Sequence, residues 1–227
     1  MKSTTQGEQR HLLIGTEATP PLPLTAITST FALMGKRRSG KSYCGTLLFE
    51  QMHAHAQVVT IDPVGVWWGL RLARDGKSTG LDVPIFGGDH GDIPLEPHGG
   101  ALLARVIVER HLSAIIDVSN FEPQQMKRFV TEFAKTLFEL KKRDRTAMHL
   151  FLEESAMFVP QDKEDGQDPP MLAAFKRIMR QGGNFGIGMT LLDQRPQDVN
   201  KKLLNQTEIL VVFQLMGNHE RKAIEAW

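Results

Sequence analysis

The chain has 227 residues, 41% of them hydrophobic, which suits one large α/β domain or one domain with a small appendage. Its formal charge of +1 excludes a gross electrostatic footprint for nucleic acid, so any DNA contact must come from local patches or from several copies together. A single cysteine, Cys44, excludes an intrachain disulfide and fits a reducing, cytoplasmic setting, and no apolar run approaches the ~18 residues a membrane helix needs.

Residues 1–10 are polar, lack the apolar core of a signal peptide and are expected to be disordered. Residues 11–15 read as a short strand, and the proline-dense stretch 20–24 as an extended lead-in, since Pro cannot sit in a central strand or a helix interior. Residues 1–24 are therefore a lead-in, partly disordered, and 25–227 the main domain.

An apolar run at residues 30–34 precedes Gly35-Lys36-Arg37-Arg38-Ser39-Gly40-Lys41-Ser42, which fits G-x-x-x-x-G-K-[ST]. The glycines let the backbone curl so that successive N–H groups point at a phosphate, and a helix starting near Lys41 aims its positive end at the same anion. Lys41 is a mobile charge for the outer phosphates, and the Ser42 hydroxyl offers a position on Mg²⁺. With Tyr43 next in line, these residues are the expected nucleotide-binding set. The helix is expected to run to about His55, carrying Cys44 as a packing residue.

Residues 57–62 form a buried parallel strand closing on Asp62. Pro63 and Gly65 break it, and Trp67 and Trp68 fall in a loop or short helix, most simply as core packing. A Gly/Pro/Asp/His-rich stretch to residue 100 holds one short strand at 83–86. Residues 101–110 are helical, and 112–118 form a third strand ending near Asp117. A long amphipathic helix covers 122–142, with Pro123 in its first turn and an apolar stripe of Met126, Phe129, Val130, Phe133, Leu137 and Leu140. Lys141, Lys142, Arg143 and Arg145 close it as a solvated basic end.

A fourth strand at 147–154 ends in Glu153 and Glu154. A surface loop is expected over 161–170, then a helix at 171–181 stopped by Gly182-Gly183. A fifth strand at 185–192 leads to Asp193-Gln194-Arg195-Pro196. A helix is expected at 197–204, a sixth strand at 207–215, and another helix from about Asn218, inside which the chain reads as cut. Alternating strands and helices predict an α/β fold, mainly a parallel sheet with helices on both faces.

Ligands in such sheets bind at the carboxyl ends of the strands, where Asp62, Asp117, Glu153, Glu154 and Gln194 collect. An apolar strand ending in two acids beside a phosphate loop suits a metal-supporting carboxylate, Glu153, and a general base, Glu154. Gln194 can sense the γ-phosphate or orient water. Arg180 and Arg195 are candidates for a transition-state cation, Arg180 as one supplied to a neighbouring copy. The eight histidines form no metal-binding motif.

In this order, the phosphate loop, the strand ending Ile61-Asp62-Pro63-Val64-Gly65, the Glu153-Glu154 strand, and Arg180-Gln181-Gly182-Gly183-Asn184-Phe185-Gly186 followed by Asp193-Gln194-Arg195-Pro196 resemble HerA/FtsK-type ATPases, from about Leu12 to the end. The resemblance implies a RecA-like P-loop ATPase domain over 25–227, using ATP and Mg²⁺. It also implies a hexameric ring that translocates double-stranded DNA as a translocase or helicase, with a nuclease or other effector as a possible partner. Lys41 and Ser42 match the loop lysine and serine, Glu154 the catalytic glutamate, Gln194 the sensor, and Arg180 falls near the trans-acting arginine. The metal-supporting position, usually Asp, is Glu153 here, one methylene longer. The family's flanking modules are also missing. Two rivals stand beside this reading: a nucleotide-gated ring-assembly module with little turnover, and a P-loop small-molecule kinase.

Overall fold

The computed structural model describes residues 11–15, 20–73, 75–161 and 169–225. The strands are β1 (His11–Leu12), β2 (Leu22–Pro23), β3 (Thr30–Met34), β4 (Gln57–Asp62), β5 (Ile85–Gly87), β6 (Ala114–Asp117), β7 (Met148–Leu152), β8 (Ile187–Asp193) and β9 (Ile209–Val212). The helices are α1 (Lys41–His53), α2 (Gly100–Glu109), α3 (Pro123–Lys141), α4 (Pro169–Gln181), α5 (Lys201–Leu204) and α6 (Asn218–Glu225). Seven strands form one sheet in the order β5-β6-β4-β7-β8-β3-β9, all parallel. This is the α/β architecture the alternation predicts, and it is RecA-like.

Every residue of β3, β4, β7 and β8 is buried, because both faces of the sheet are covered. The strand period of two divides them between two cores. Phe31 and Leu33 join α1 residues Leu48, Phe49 and Met52 on one face. Ala32 and Met34 join the apolar sides of α2, α3 and α4 on the other. The stripe expected on α3 is buried there at Met126, Phe129, Val130, Phe133 and Leu137.

The lead-in behaves differently along its length. Residues 1–10 and 16–19 lie outside the described residues. Leu12 is fully buried against the α1 face, and the Gln51 side chain accepts the Leu13 N–H at 2.7 Å and donates to its carbonyl at 3.0 Å. After β2, Leu24, the last residue of the expected extended stretch, opens a short 3-10 helix that runs to Thr28.

Three expectations are corrected. The helix expected at 197–204 is a 3-10 turn over Pro196–Asp198 followed by the single turn α5. Val199 instead bridges Pro160, with the Asn200 N–H on the Val159 carbonyl at 2.9 Å and the Gln161 N–H on the Asp198 carbonyl at 2.7 Å. Backbone pairing to the segment after β7 wins over local helix propensity. Second, Gly182–Phe185 form a 3-10 turn closed by Gly186 at φ 75°, so β8 starts at Ile187. Third, Lys141 is not at a solvated helix end. It is fully buried and donates to the Thr146 carbonyl at 2.5 Å and hydroxyl at 3.1 Å. Desolvation pushes its pKa down, against the pull of Asp144. Lys142 pairs with Glu139 and Arg145 lies over the Phe185 ring, while Arg143 and Arg145 stay exposed, as expected of a solvated end. Most of the expected surface loop at 161–170 lies outside the described residues, and α4 begins at its end, with Pro169. No helix among the described residues is long and apolar enough to cross a membrane.

Candidate active site

The phosphate loop leaves β3 under tight constraint. The Gly35 N–H bonds the Asp193 carbonyl at 3.1 Å, and the Lys36 N–H bonds the Gln214 carbonyl at 2.9 Å, tying the loop to the ends of β8 and β9. A Cβ on Gly35 would come within 2.5 Å of Phe213 Cβ, so only glycine fits. Gly40 takes φ 97°, the left-handed turn that lets the loop enter α1. Arg38 adopts φ 60° without being glycine. The unpaired N–H groups of the first turn of α1 open on the same space, where the helix dipole favours an anion.

Lys41 and Glu153 form a buried ion pair at 3.0 Å, their side chains 5% and 4% exposed. The Ser42 hydroxyl donates to the same oxygen, Glu153 Oε1, at 3.3 Å. The other oxygen, Oε2, accepts the indole N–H of Trp67 at 3.0 Å. Burial pushes the Glu153 carboxyl above the usual range, against the opposing pull of Lys41 and the bonds from Lys41 and Trp67, with Glu154 adding to the rise. The donors that converge here, a hydroxyl and a carboxylate oxygen beside a phosphate loop, are hard oxygens of the kind Mg²⁺ takes alongside water and substrate phosphates.

Glu154 sits one residue on, at φ 47°, ψ 56°. A non-glycine residue in that region is an outlier, and such outliers gather at functional sites. The turn aims its side chain sideways along the strand ends, where Gln194 Nε2 donates to Glu154 Oε1. Asp193 fixes the relation from below: it accepts the Ala156 N–H at 2.6 Å and the Arg195 N–H at 3.1 Å.

Glu153, Glu154 and Gln194 face one cleft of about 390 Å³ with Lys36, Arg37, Arg38, Gly40, Lys41, Ser42 and Tyr43. Gly35 and Ser39 support the loop from behind and do not line the cleft. Asp62 and Asp117 are turned to structural use. Asp62 accepts four backbone N–H groups, from Val64, Gly65, Val66 and Trp67, at 2.6–2.9 Å. Asp117 accepts the Ser119 N–H at 2.9 Å and its hydroxyl at 2.5 Å. Arg195 is exposed and does not line the cleft. Arg180 is exposed at the end of α4, just before β8 begins, so a seven-residue strand separates it from the cleft. That is about 20 Å.

Sequence reasoning missed three lining or supporting residues. Val64 and Val66 line the cleft, half exposed, from the turn that Asp62 holds. Trp67 reaches the site from the end of that turn. The available signal was Asp62 followed by Pro63 and Gly65, an aspartate placed to cap a turn whose next residues must project over the neighbouring strand end.

No protein-family model matches the chain. Over 128 residues, 52% of this chain, it is 22% identical to the DNA double-strand break repair helicase HerA of Pyrococcus furiosus and spans 22% of that protein's length. Among solved structures, it is similar to VirB4 of Thermoanaerobacter pseudethanolicus, with a TM-score of 0.59 and 14% identity, covering 97% of this chain and 88% of that one. It is also similar to the genome packaging NTPase B204 of Sulfolobus turreted icosahedral virus 2, with a TM-score of 0.55 and 14% identity, covering 88% and 82%.

Proposed function

We propose that this chain, a P-loop domain of the HerA/FtsK type, binds ATP with Mg²⁺ in the cleft and hydrolyses it as the motor domain of a DNA translocase or helicase. The observation that carries the reading is Glu154, held in a strained turn with its carboxylate on Gln194, facing the cleft that Lys41 lines. Water attack needs a base and an orienting group on the side of the γ-phosphate away from the leaving group. A kinase also sets a carboxylate on its acceptor hydroxyl, so phosphate release with no acceptor present is what separates the two.

In this reading the loop amides and Lys41 hold the phosphates, and Ser42 and Glu153 would hold Mg²⁺, which supplies charge neutralisation between the outer phosphates. Glu154 takes the proton from water and Gln194 orients it. Tyr43 and the loop residues Lys36, Arg37 and Arg38 border the nucleotide. Arg180, far from the cleft of its own chain, serves a neighbouring copy, which makes a ring the working form. Residues 25–227 form the motor domain behind the lead-in 1–24. A hexamer around double-stranded DNA, a nuclease or other effector partner, and a cytoplasmic location belong to the same proposal. ATP turnover measured with and without duplex DNA is the test: no turnover in either condition removes the motor reading.

One contact favours a second reading, a nucleotide-gated assembly module. The extra methylene of Glu153 lets its carboxylate reach Lys41 at 3.0 Å, closing the floor of the cleft with an ion pair. Oligomer size with and without ATP, taken alongside turnover, separates the two, because only the assembly module would gain size while barely hydrolysing.

A further inference from the structure

We infer that Trp67 is a positioning residue whose indole N–H fixes which carboxylate oxygen of Glu153 faces the phosphate loop. The inference rests on the nucleotide-and-Mg²⁺ reading of the cleft. Glu153 divides its two oxygens cleanly. Oε1 meets Lys41 at 3.0 Å and Ser42 at 3.3 Å, while Oε2 meets only the indole, at 3.0 Å. A glutamate has one more rotatable bond than an aspartate, so its carboxylate needs an added anchor to present one oxygen reproducibly. An N–H that cannot itself move supplies it.

Trp67 is such a donor. It is 1% exposed, and its ring packs between Phe49 of α1 and Phe151 of β7, at centroid distances of 5.9 and 5.6 Å. Its backbone N–H is held by Asp62 at 2.8 Å, in the turn that Asp62 caps. The ring is therefore fixed from the end of β4 on one side and from α1 and β7 on the other. Its donor reaches the acid at the end of β7 across 86 residues of sequence. Core packing alone would place the indole edge anywhere in this aromatic cluster. Here it places the one polar atom of the ring on the one carboxylate oxygen that the loop leaves unused.

The test compares Trp67→Phe, which keeps an aromatic ring and removes the donor, with Phe31→Leu, which disturbs the same core at a ring that packs on His149 and not on the indole. Mn²⁺ binding by electron paramagnetic resonance with ATPγS present, and the Mg²⁺ concentration for half-maximal ATP turnover, are read for each protein. So is metal-free ATPγS affinity in EDTA. Trp67→Phe is expected to weaken metal binding about tenfold, as loss of a partner to a metal ligand does, while metal-free nucleotide affinity stays within about twofold. Phe31→Leu is expected to lower Tm and leave the metal requirement unchanged. An unchanged metal requirement in Trp67→Phe, or an equal shift in Phe31→Leu, overturns the inference. If Trp67→Phe does not fold, the wild-type indole ¹H–¹⁵N resonance, assigned with Trp68→Phe and Trp227→Phe, takes its place. It should move when Mg²⁺ is added to the ATPγS complex, and a resonance blind to Mg²⁺ overturns the inference. Wild-type protein that binds neither ATPγS nor Mn²⁺ with it would instead defeat the nucleotide reading itself.

Discussion

Gln194, at the end of β8, donates a side-chain hydrogen bond to Glu154, at the end of the adjacent β7, and the two close one wall of the cleft. Residues that act as a unit lose function non-additively. Gln194→Ala should lower turnover by about 10- to 100-fold, and Glu154→Gln by about 100-fold or more, the scale of a general base. The double variant should be no worse than Glu154→Gln alone. Additive losses in the double-mutant cycle would mean that the two side chains act separately.

Glu154 at φ 47° and Arg38 at φ 60° hold a backbone conformation that glycine adopts without strain. Glu154→Gly and Arg38→Gly should each stabilise the fold by about 1 kcal/mol, a rise of about 2–4 °C in Tm, while Glu154→Gly abolishes turnover. Thermal denaturation by circular dichroism reads both. A fall in Tm for Glu154→Gly would show that its side-chain bonds outweigh the strain.

The Lys41–Glu153 pair is almost wholly buried. Removing one partner leaves an uncompensated charge in a low-dielectric site, whereas removing both does not. Lys41→Met should cost about 3–5 kcal/mol in urea unfolding, and Lys41→Met with Glu153→Met should recover most of it. A double variant as unstable as the single would place the loss elsewhere than in the stranded carboxylate.

His149 is fully buried, with Nδ1 on the Ile27 carbonyl at 2.6 Å and Nε2 on the Thr190 hydroxyl at 2.7 Å. Burial pushes its pKa from 6.5 down to about 4, against the bond to Ile27. Between those values the unfolded chain binds a proton that the folded chain refuses, so stability falls as pH is lowered through that window. From pH 7 to pH 5 this single group should remove about 2 kcal/mol. His149→Gln should flatten the pH dependence by that amount in urea titrations. An unchanged slope would assign it to other groups.

Cys44 is buried in the α1 core, and desolvation raises its thiol from 9.0 to about 11. A thiolate fraction about 100-fold smaller predicts a reaction with a disulfide reagent at pH 8 about 100-fold slower in native protein than in urea. Equal rates would contradict the burial of α1 against the sheet.

Much of this arrangement was legible in the residues, because it follows from local chemistry. The apolar runs of β3, β4, β7 and β8 and the spacing of Gly35, Gly40, Lys41 and Ser42 announce a parallel sheet and a phosphate loop. Glu153, Glu154 and Gln194 fall at strand ends by counting alone. What was not legible depends on partners far away in sequence. The segment 197–204 has helical propensity, yet Val199 pairs with Pro160. Lys141 reads as a surface cation, yet the turn at Thr146 folds back over it. Trp67 reads as core packing, and it is, but its donor atom finds Glu153 only because β4 and β7 lie side by side.

Steady-state ATP hydrolysis by wild type and Glu154→Gln, each with and without duplex DNA, tests the central claim most directly. Wild-type turnover that rises with DNA, and a Glu154→Gln protein that still binds ATP but turns it over at least about 100-fold more slowly, is the predicted result. A Glu154→Gln protein that hydrolyses ATP as fast as wild type would contradict it.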